Sequence, residues 1–406
     1  MVQNTDLRIL VLDDELLMLK LHAQLLSHLG FNLVTTSQSG QEALARMDSE
    51  PVHPDLILLD LSMPSMDGIE FIRRLVDRKF GGRLILVSGE EERVQRTVEK
   101  LAEAHQIRVL GHLNKPVEED KLAVLLRRWR PPSGTFEIAW KRAYTTEEVR
   151  RAVDNLELTV HYEPKVAVKT GELVGVEALV RWRHPKDGLV VPQQFVGVAE
   201  ANGLIYPLTR FVFSTAMSQS AVWRAGGLSV RMAVNVSIDA LSTLDFAGFA
   251  HEQATRAGVP PKDVIIEVTE SRLMQDLRAP LEVLTRLHLM RFQLSIDDFG
   301  TGYSSQTQLQ DIPFSELKID RSFVHRASVD QTVRTMYGTC LGLARQLKMS
   351  TVAEGVEDKN DWDFVRASEC DVAQGYFVGR AMPPEAILPW AAKWRERVRR
   401  DFRNED

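Results

Sequence analysis

Asn235, Glu267, Asp297, Asp298, Lys318 and Glu354 each stand where a short apolar stretch turns polar. The stretches are 231–237 (RMAVNVS), 264–271 (VIIEVTES), 293–300 (QLSIDDFG), 316–322 (ELKIDRS) and 350–357 (STVAEGVE). The apolar half reads as a buried parallel strand and the polar half as its C-terminal tip. In a β/α barrel the strand tips share one face, so these residues are expected side by side. Carboxylates that close repel one another unless cations neutralise them, which points to a divalent-metal site and to an enzyme. Glu177, inside 174–185 (VGVEALVRWRHP), completes an all-oxygen set with Asn235, Glu267 and Asp297. Such a set suits Mg²⁺ or Mn²⁺ over zinc. Of the adjacent pair Asp297–Asp298, one carboxylate can bridge two cations while the other holds the second. Two metals about 3.5–4 Å apart suit hydrolysis of a phosphate ester. Lys318 can orient a water, Glu354 can take its proton, and Arg181 can clamp a phosphate.

A second constellation lies near the N-terminus: Asp13, Asp14, Asp60, Ser88 and Lys115, again at the ends of apolar runs. Two or three carboxylates can hold one Mg²⁺. Asp60 can then attack phosphorus to give an acyl phosphate, with Ser88 donating to a phosphoryl oxygen and Lys115 supplying a point charge.

These residues need two scaffolds. Strand-like runs at 8–13, 56–60, 84–88 and 109–114, separated by helical patterns, predict an open α/β sheet with its active edge at the strands' carboxyl ends. The helix at 122–129 is broken by Pro131-Pro132-Ser133-Gly134. From about 145 to 395 the alternation resumes over about 250 residues, the size of one barrel. The expected organisation is therefore a domain at 1–129, a linker at 130–144 and a barrel at 145–395, an α/β protein in both parts.

The 406 residues are 44% hydrophobic and 26% charged, ordinary for a globular chain. The net charge of −6 and the lack of a helix-turn-helix segment argue against DNA as a partner. The basic run 395–403 (RERVRRDFR) has mixed signs and reads as a solvated terminal helix. Cys340 and Cys370 read as core residues, too few for a disulfide framework. No charged-then-apolar leader is seen, and no apolar run reaches the roughly 20 residues that span a bilayer. A cytoplasmic protein with no membrane insertion is expected.

The N-terminal segments VLDDE (11–15), DLSMPSMDG (60–68), VSG (87–89) and KP (115–116) resemble the response-regulator receiver family over about residues 6–128. The resemblance implies a flavodoxin-like doubly wound domain whose Asp60 is phosphorylated by a partner histidine kinase. Asp13, Asp14 and Asp60 would ligate Mg²⁺, Ser88 would be the switch hydroxyl and Lys115 would contact the phosphoryl group. His112 stands where the family usually has an aromatic switch residue. An imidazole there can fill the aromatic's space or make the switch pH-sensitive.

The remainder resembles the EAL-family cyclic di-GMP phosphodiesterases from about residue 145 to 390. The resemblance rests on EALVRWRHP (177–185), NVS (235–237), EVTES (267–271), DDFGTGYSS (297–305), LKID (317–320), AEGVE (353–357) and QGY (374–376). It implies a modified TIM barrel that hydrolyses cyclic di-GMP to linear pGpG with two Mg²⁺ or Mn²⁺ ions. Glu177, Asn235, Glu267 and Asp297 would hold one ion, and Asp297 with Asp298 the other. Glu354 would be the general base and Lys318 would position water. Arg181, Leu179, Gln374 and Glu357 would line the substrate site. Glu270 would brace the loop 298–305, which the family uses for dimer contact, so a homo-oligomer is expected. Glycines 300 and 302 allow that loop unusual backbone angles. Glu163, in Tyr162-Glu163-Pro164, departs from the glutamine usual in the family, and an ionised glutamate accepts hydrogen bonds without donating. The resulting expectation is a phosphorylation-responsive phosphodiesterase. Its rival is a non-catalytic nucleotide sensor, a form usually marked by lost metal ligands, whereas every ligand position here is filled.

Overall fold

A computed structural model describes residues 7–49, 53–78, 80–89, 97–99, 101–102, 107–129, 144–269, 278–300 and 312–402. The chain forms two compact units, Met1–Gly134 and Thr135–Asp406. Of the expected linker 130–144, only residue 144 is among the described residues.

The first unit is a five-stranded sheet, all pairings parallel, in the order β2-β1-β3-β4-β5. Its strands are β1 (Ile9–Leu12), β2 (Val34–Ser37), β3 (Leu56–Asp60), β4 (Arg83–Ser88) and β5 (Arg108–Asn114). β1 and β3 are buried throughout, as continuous apolar strands covered on both faces must be. Their alternation feeds two cores. Leu10, Leu12, Ile57 and Leu59 join Phe71 and Leu75 on one side. Ile9, Val11, Leu56 and Leu58 join Leu19, Leu26 and Leu122 on the other. β2, an edge strand reading VTTS, is too polar and exposed to stand out by hydrophobic pattern. This order is the flavodoxin-like one, with its switch point between β1 and β3. Asp13 and Asp60 end those two strands.

The second unit is a closed eight-stranded barrel. Its strands are β6 (Leu158–Ala167), β7 (Leu173–His184), β9 (Arg231–Asn235), β10 (Val264–Thr269), β11 (Gln293–Phe299), β12 (Glu316–Ile319), β13 (Ser350–Ala353) and β14 (Val372–Gln374). A short β8 (Gly188–Val190) hangs from β7 as an antiparallel flap. β6 runs antiparallel to both of its neighbours, β7 and β14, and every other barrel pairing is parallel. Helices cover the outside, the longest being Ile205–Ala225. Strand alternation separates two environments. Val264, Ile266 and Val268 of β10 join the continuous hydrophobic cluster, while Glu267, between them, is equally buried on the opposite face. Residues 395–402 of the terminal basic segment lie in the helix Ile387–Phe402, and Cys340 and Cys370 are buried thiols outside any disulfide. Among the described residues no helix is long and apolar enough to cross a membrane.

Candidate active site and phosphoacceptor pocket

Within the barrel the strand register sets some of the polar residues side by side and offsets others by one inward position. Glu267 on β10 is paired with Asn235 on β9, and Asp297 on β11 with Thr269. Glu163 on β6 is paired with Glu177 on β7. Lys318, which is 1% exposed, occupies the centre. Its Nζ lies 2.8 Å from Asp297 Oδ1, 2.8 Å from Glu354 Oε1, 3.1 Å from Glu267 Oε2 and 3.4 Å from Glu177 Oε2. Two amides hold Glu177: Asn235 Nδ2 donates to Oε1 at 2.6 Å and Gln374 Nε2 to Oε2 at 2.7 Å. All six residues expected at strand tips on one face are thus brought together, along with Glu177 and Gln374. Oxygens of Asp297, Asp298 and Glu354 come within 4.8 Å of one another.

So many buried acids cannot all behave as free carboxylates. Burial works to raise Glu177, but Lys318, Lys165, Gln374 and Asn235 bring it down to about 2. Glu267 is pushed up to about 7 by burial and by Glu177, against the pull of Lys165 and Lys318. Asp298 is raised to about 6 by burial and the adjacent Asp297. Burial also holds Glu354 well above the usual carboxylate range, although Lys318 opposes it. For Lys318 burial favours the neutral amine, yet Asp297, Glu177, Glu267 and Glu354 outweigh it and keep the charge. The donor set fits hard divalent cations. Its side chains offer oxygen, and acids outnumber the buried cations around them, an imbalance that divalent ions would offset.

The flanking residues separate into groups. Leu179 and Arg181 follow Glu177 on the same face of β7, paired with His161 and Thr159. The Arg181 guanidinium donates to the Val180 carbonyl at 2.8 Å, and burial lowers its pKa against the pull of Glu163, Glu177 and Tyr376. Glu357 stays outside the acid cluster and pairs with Arg321 at 2.7 Å. Asp298 takes a left-handed backbone, φ 54°, and Gly300 follows at φ 100°. A Cβ on Gly300 would collide with the Phe323 ring, so glycine is required there. Glu270 and the loop residues 301–305, Gly302 included, lie outside the described residues. Sequence reasoning passed over Lys165, Arg321 and the exposed Tyr376. Of these, Arg321 and Tyr376 carried a visible cue, since they belong to the ELKIDRS and QGY segments already singled out.

Glu163 is pushed up to about 7, by burial first and by Glu177 second, with Lys318, Arg181 and a hydrogen bond from Gln374 opposing. Raised this far, the carboxyl retains its proton to higher pH than an ordinary glutamate, and its neutral form can donate as a glutamine does.

In the first unit, Lys115 Nζ lies 2.8 Å from both Asp13 Oδ2 and Asp60 Oδ2. Oxygens of Asp13, Asp14 and Asp60 lie within 4.8 Å of one another. Asp13 Oδ1 accepts from the Glu15 N–H at 3.0 Å and Asp60 Oδ1 from the Ser62 N–H at 3.2 Å, which fixes both carboxylates. Ser88 is fully buried at the end of β4. Burial favours neutral Lys115, but Asp13 and Asp60 raise its pKa. His112, on β5 opposite Leu86, has Nδ1 3.5 Å from Glu99 Oε2.

Residues 146–381 match the EAL domain, and residues 9–127 match the response regulator receiver domain. This chain belongs to the EAL domain family. It carries a receiver domain in front of its EAL domain, an arrangement shared along nearly its whole length with a known relative. The cyclic di-GMP phosphodiesterase RocR of Pseudomonas aeruginosa is 32% identical over 394 residues, covering 95% of this chain and 99% of RocR. The bifunctional diguanylate cyclase/cyclic di-GMP phosphodiesterase MucR of the same organism is 39% identical over 242 residues, 59% of this chain but only 35% of MucR. The solved structure of the PaMucR phosphodiesterase in its c-di-GMP complex superposes on the EAL domain with a TM-score of 0.57 and 38% identity. It covers 59% of this chain and 98% of that one.

Proposed function

We propose that the EAL domain hydrolyses one phosphodiester bond of cyclic di-GMP to give pGpG, and that phosphorylation of Asp60 modulates the rate. The observation that carries this reading is the meeting of Lys318 with Glu177, Glu267, Asp297 and Glu354 inside the barrel. The relation to RocR supports it. Glu177, Asn235, Glu267 and Asp297 would hold one Mg²⁺ or Mn²⁺, and Asp297 with Asp298 a second. When bound, these ions neutralise charge on the phosphoryl oxygens. The chain's own groups do the rest. Glu354, made basic by burial, accepts the proton of the attacking water. Lys318, held charged by its four acids, donates a hydrogen bond that orients that water. Arg181 faces the cluster from β7 and clamps a phosphate of the substrate. Water oxygen bonds to phosphorus, the bond to the 3′ oxygen breaks, and the 3′ oxygen leaves as a hydroxyl after taking a proton from solvent.

In the receiver, Asp60 would accept the phosphoryl group from a histidine kinase on an Mg²⁺ held with Asp13 and Asp14. Lys115 then contacts the new phosphoryl oxygens, and Ser88 and His112 respond. A homo-oligomer formed through the loop after Asp298 belongs to the same proposal. The decisive experiment incubates the purified full-length chain with cyclic di-GMP and Mg²⁺ and separates the products. Appearance of pGpG supports the proposal. Tight binding of intact substrate without turnover would instead identify a nucleotide sensor.

A further inference from the structure

Beneath the cluster, two further charged side chains, Lys165 and Glu316, are buried inside the barrel. Lys165 is 2% exposed, and lysine is almost never buried so deeply unless it is paired. It lies two residues beyond Glu163 on β6, hence on the same inward face. Because β6 is antiparallel, those two residues carry the chain down from the strand-tip layer to the tier below it. Lys165 is paired with Gly175 of β7 and Gln374 of β14. Its Nζ donates to Glu267 Oε1 and lies 3.9 Å from Glu316 Oε1.

The tier is built to admit this lysine. Barrel interiors are usually filled by bulky branched side chains. Here the inward positions two residues before Glu177, Asn235 and Asp297 are Gly175, Ala233 and Ser295. These small residues leave room for a four-carbon stem to reach from β6 to β10. Glu316, two residues before Lys318, faces the same lysine, and its Oε1 has no hydrogen bond.

The two oxygens of Glu267 are therefore divided. Oε1 is taken from below by Lys165, and Oε2 lies 3.1 Å from Lys318, turned toward the layer of Glu177 and Asp297. We propose that Lys165 is a positioning residue that fixes Glu267 with Oε2 presented to the metal layer. This rests on the reading of Glu267 as a metal ligand. Lys165 touches no substrate in this scheme and acts only through Glu267, as the partners behind metal ligands commonly do.

The test measures Mn²⁺ binding by electron paramagnetic resonance on the full-length chain. An Asp13→Asn/Asp60→Asn background removes the receiver pocket as a competing site. Lys165→Met keeps the length of the side chain and removes the donor. It is expected to raise the Mn²⁺ Kd about 10–100-fold. In turnover assays kcat should recover toward the parent value as Mn²⁺ is raised, with KM for the cyclic dinucleotide unchanged. Glu316→Gln keeps the Lys165–Glu267 bond and should leave the Kd within about twofold, well inside the loss set by a broken second layer. An unchanged or tighter Kd in Lys165→Met, or an equal loss in Glu316→Gln, would overturn the proposal. Should Lys165→Met fail to fold, Lys165→Met/Glu316→Leu removes both lower charges and carries the same expectation. If the parent binds Mn²⁺ and Lys165→Met loses it while neither hydrolyses cyclic di-GMP, the phosphodiesterase reading fails and this one stands.

Discussion

Glu163→Gln separates charge from shape beside the substrate. The Glu163 carboxyl, ordinarily near 4.5, is raised to about 7. A midpoint near 7 leaves it mostly neutral at pH 6 and mostly ionised at pH 8. The ionised form repels an anionic dinucleotide and cannot donate, whereas the neutral form does what glutamine does. If only the neutral form binds well, KM of the parent rises about tenfold between pH 6 and 8, or about 1.4 kcal/mol. Glu163→Gln should then match the parent at pH 6 and show a KM about tenfold lower at pH 8, with kcat little changed. Glu267 and Asp298 titrate in the same range. Their effects are common to both proteins and cancel in the ratio of KM values. Bound cations pull the Glu163 midpoint below 7 and move the window down without reversing its sign. Stability provides an independent reading in chelator. A carboxyl raised on folding keeps its proton in the native state while the unfolded chain ionises, so stability falls as pH rises from about 4.5 to 7. Glu163→Gln removes this loss and should gain about 3 kcal/mol at pH 8 and little at pH 4. Steady-state assays at each pH and urea titrations in chelator test both limbs. KM values that coincide for Glu163→Gln and the parent at every pH from 6 to 8 would refute the reasoning.

Turnover should require Mg²⁺ or Mn²⁺ and be inhibited by Ca²⁺, which takes longer bonds and looser geometry. Full activity in excess chelator would remove the two-metal mechanism. Glu354→Gln keeps the shape and removes the base, so substrate binding should persist while kcat falls about 10²–10⁴-fold. A parental kcat in that variant would assign the base elsewhere. Loading Asp60 with beryllofluoride should raise kcat/KM by an amount corresponding to about 1–3 kcal/mol of coupling, and Asp60→Asn should abolish the response without altering basal hydrolysis. Identical kcat/KM with Asp60 shown to be occupied would refute catalytic control by the receiver.

Much of this architecture is written locally in the chain. A parallel strand buried on both faces must be a continuous apolar run, and its functional residue must follow at the tip. LILLD ending in Asp60, and VIIE and LSID ending in Glu267 and Asp297, therefore declare both the strand and the candidate ligand. The tip rule then predicts that Asn235, Glu267, Asp297, Asp298, Lys318 and Glu354 meet, because closure of a barrel leaves them one shared face. β2 was not legible, because an edge strand reading VTTS lacks the apolar run on which the rule depends. Only the tertiary structure showed which acids share Lys318, that Glu357 pairs with Arg321, and that burial and Glu177 push the Glu163 carboxyl up. It alone also showed Lys165 beneath Glu267. That contact joins residues 102 positions apart. It depends on β6 entering antiparallel and on small residues in three other strands leaving space along the way. No window of sequence holds those conditions together: burial, register and strand direction are properties of the closed barrel, and they decide which charge each buried group can keep.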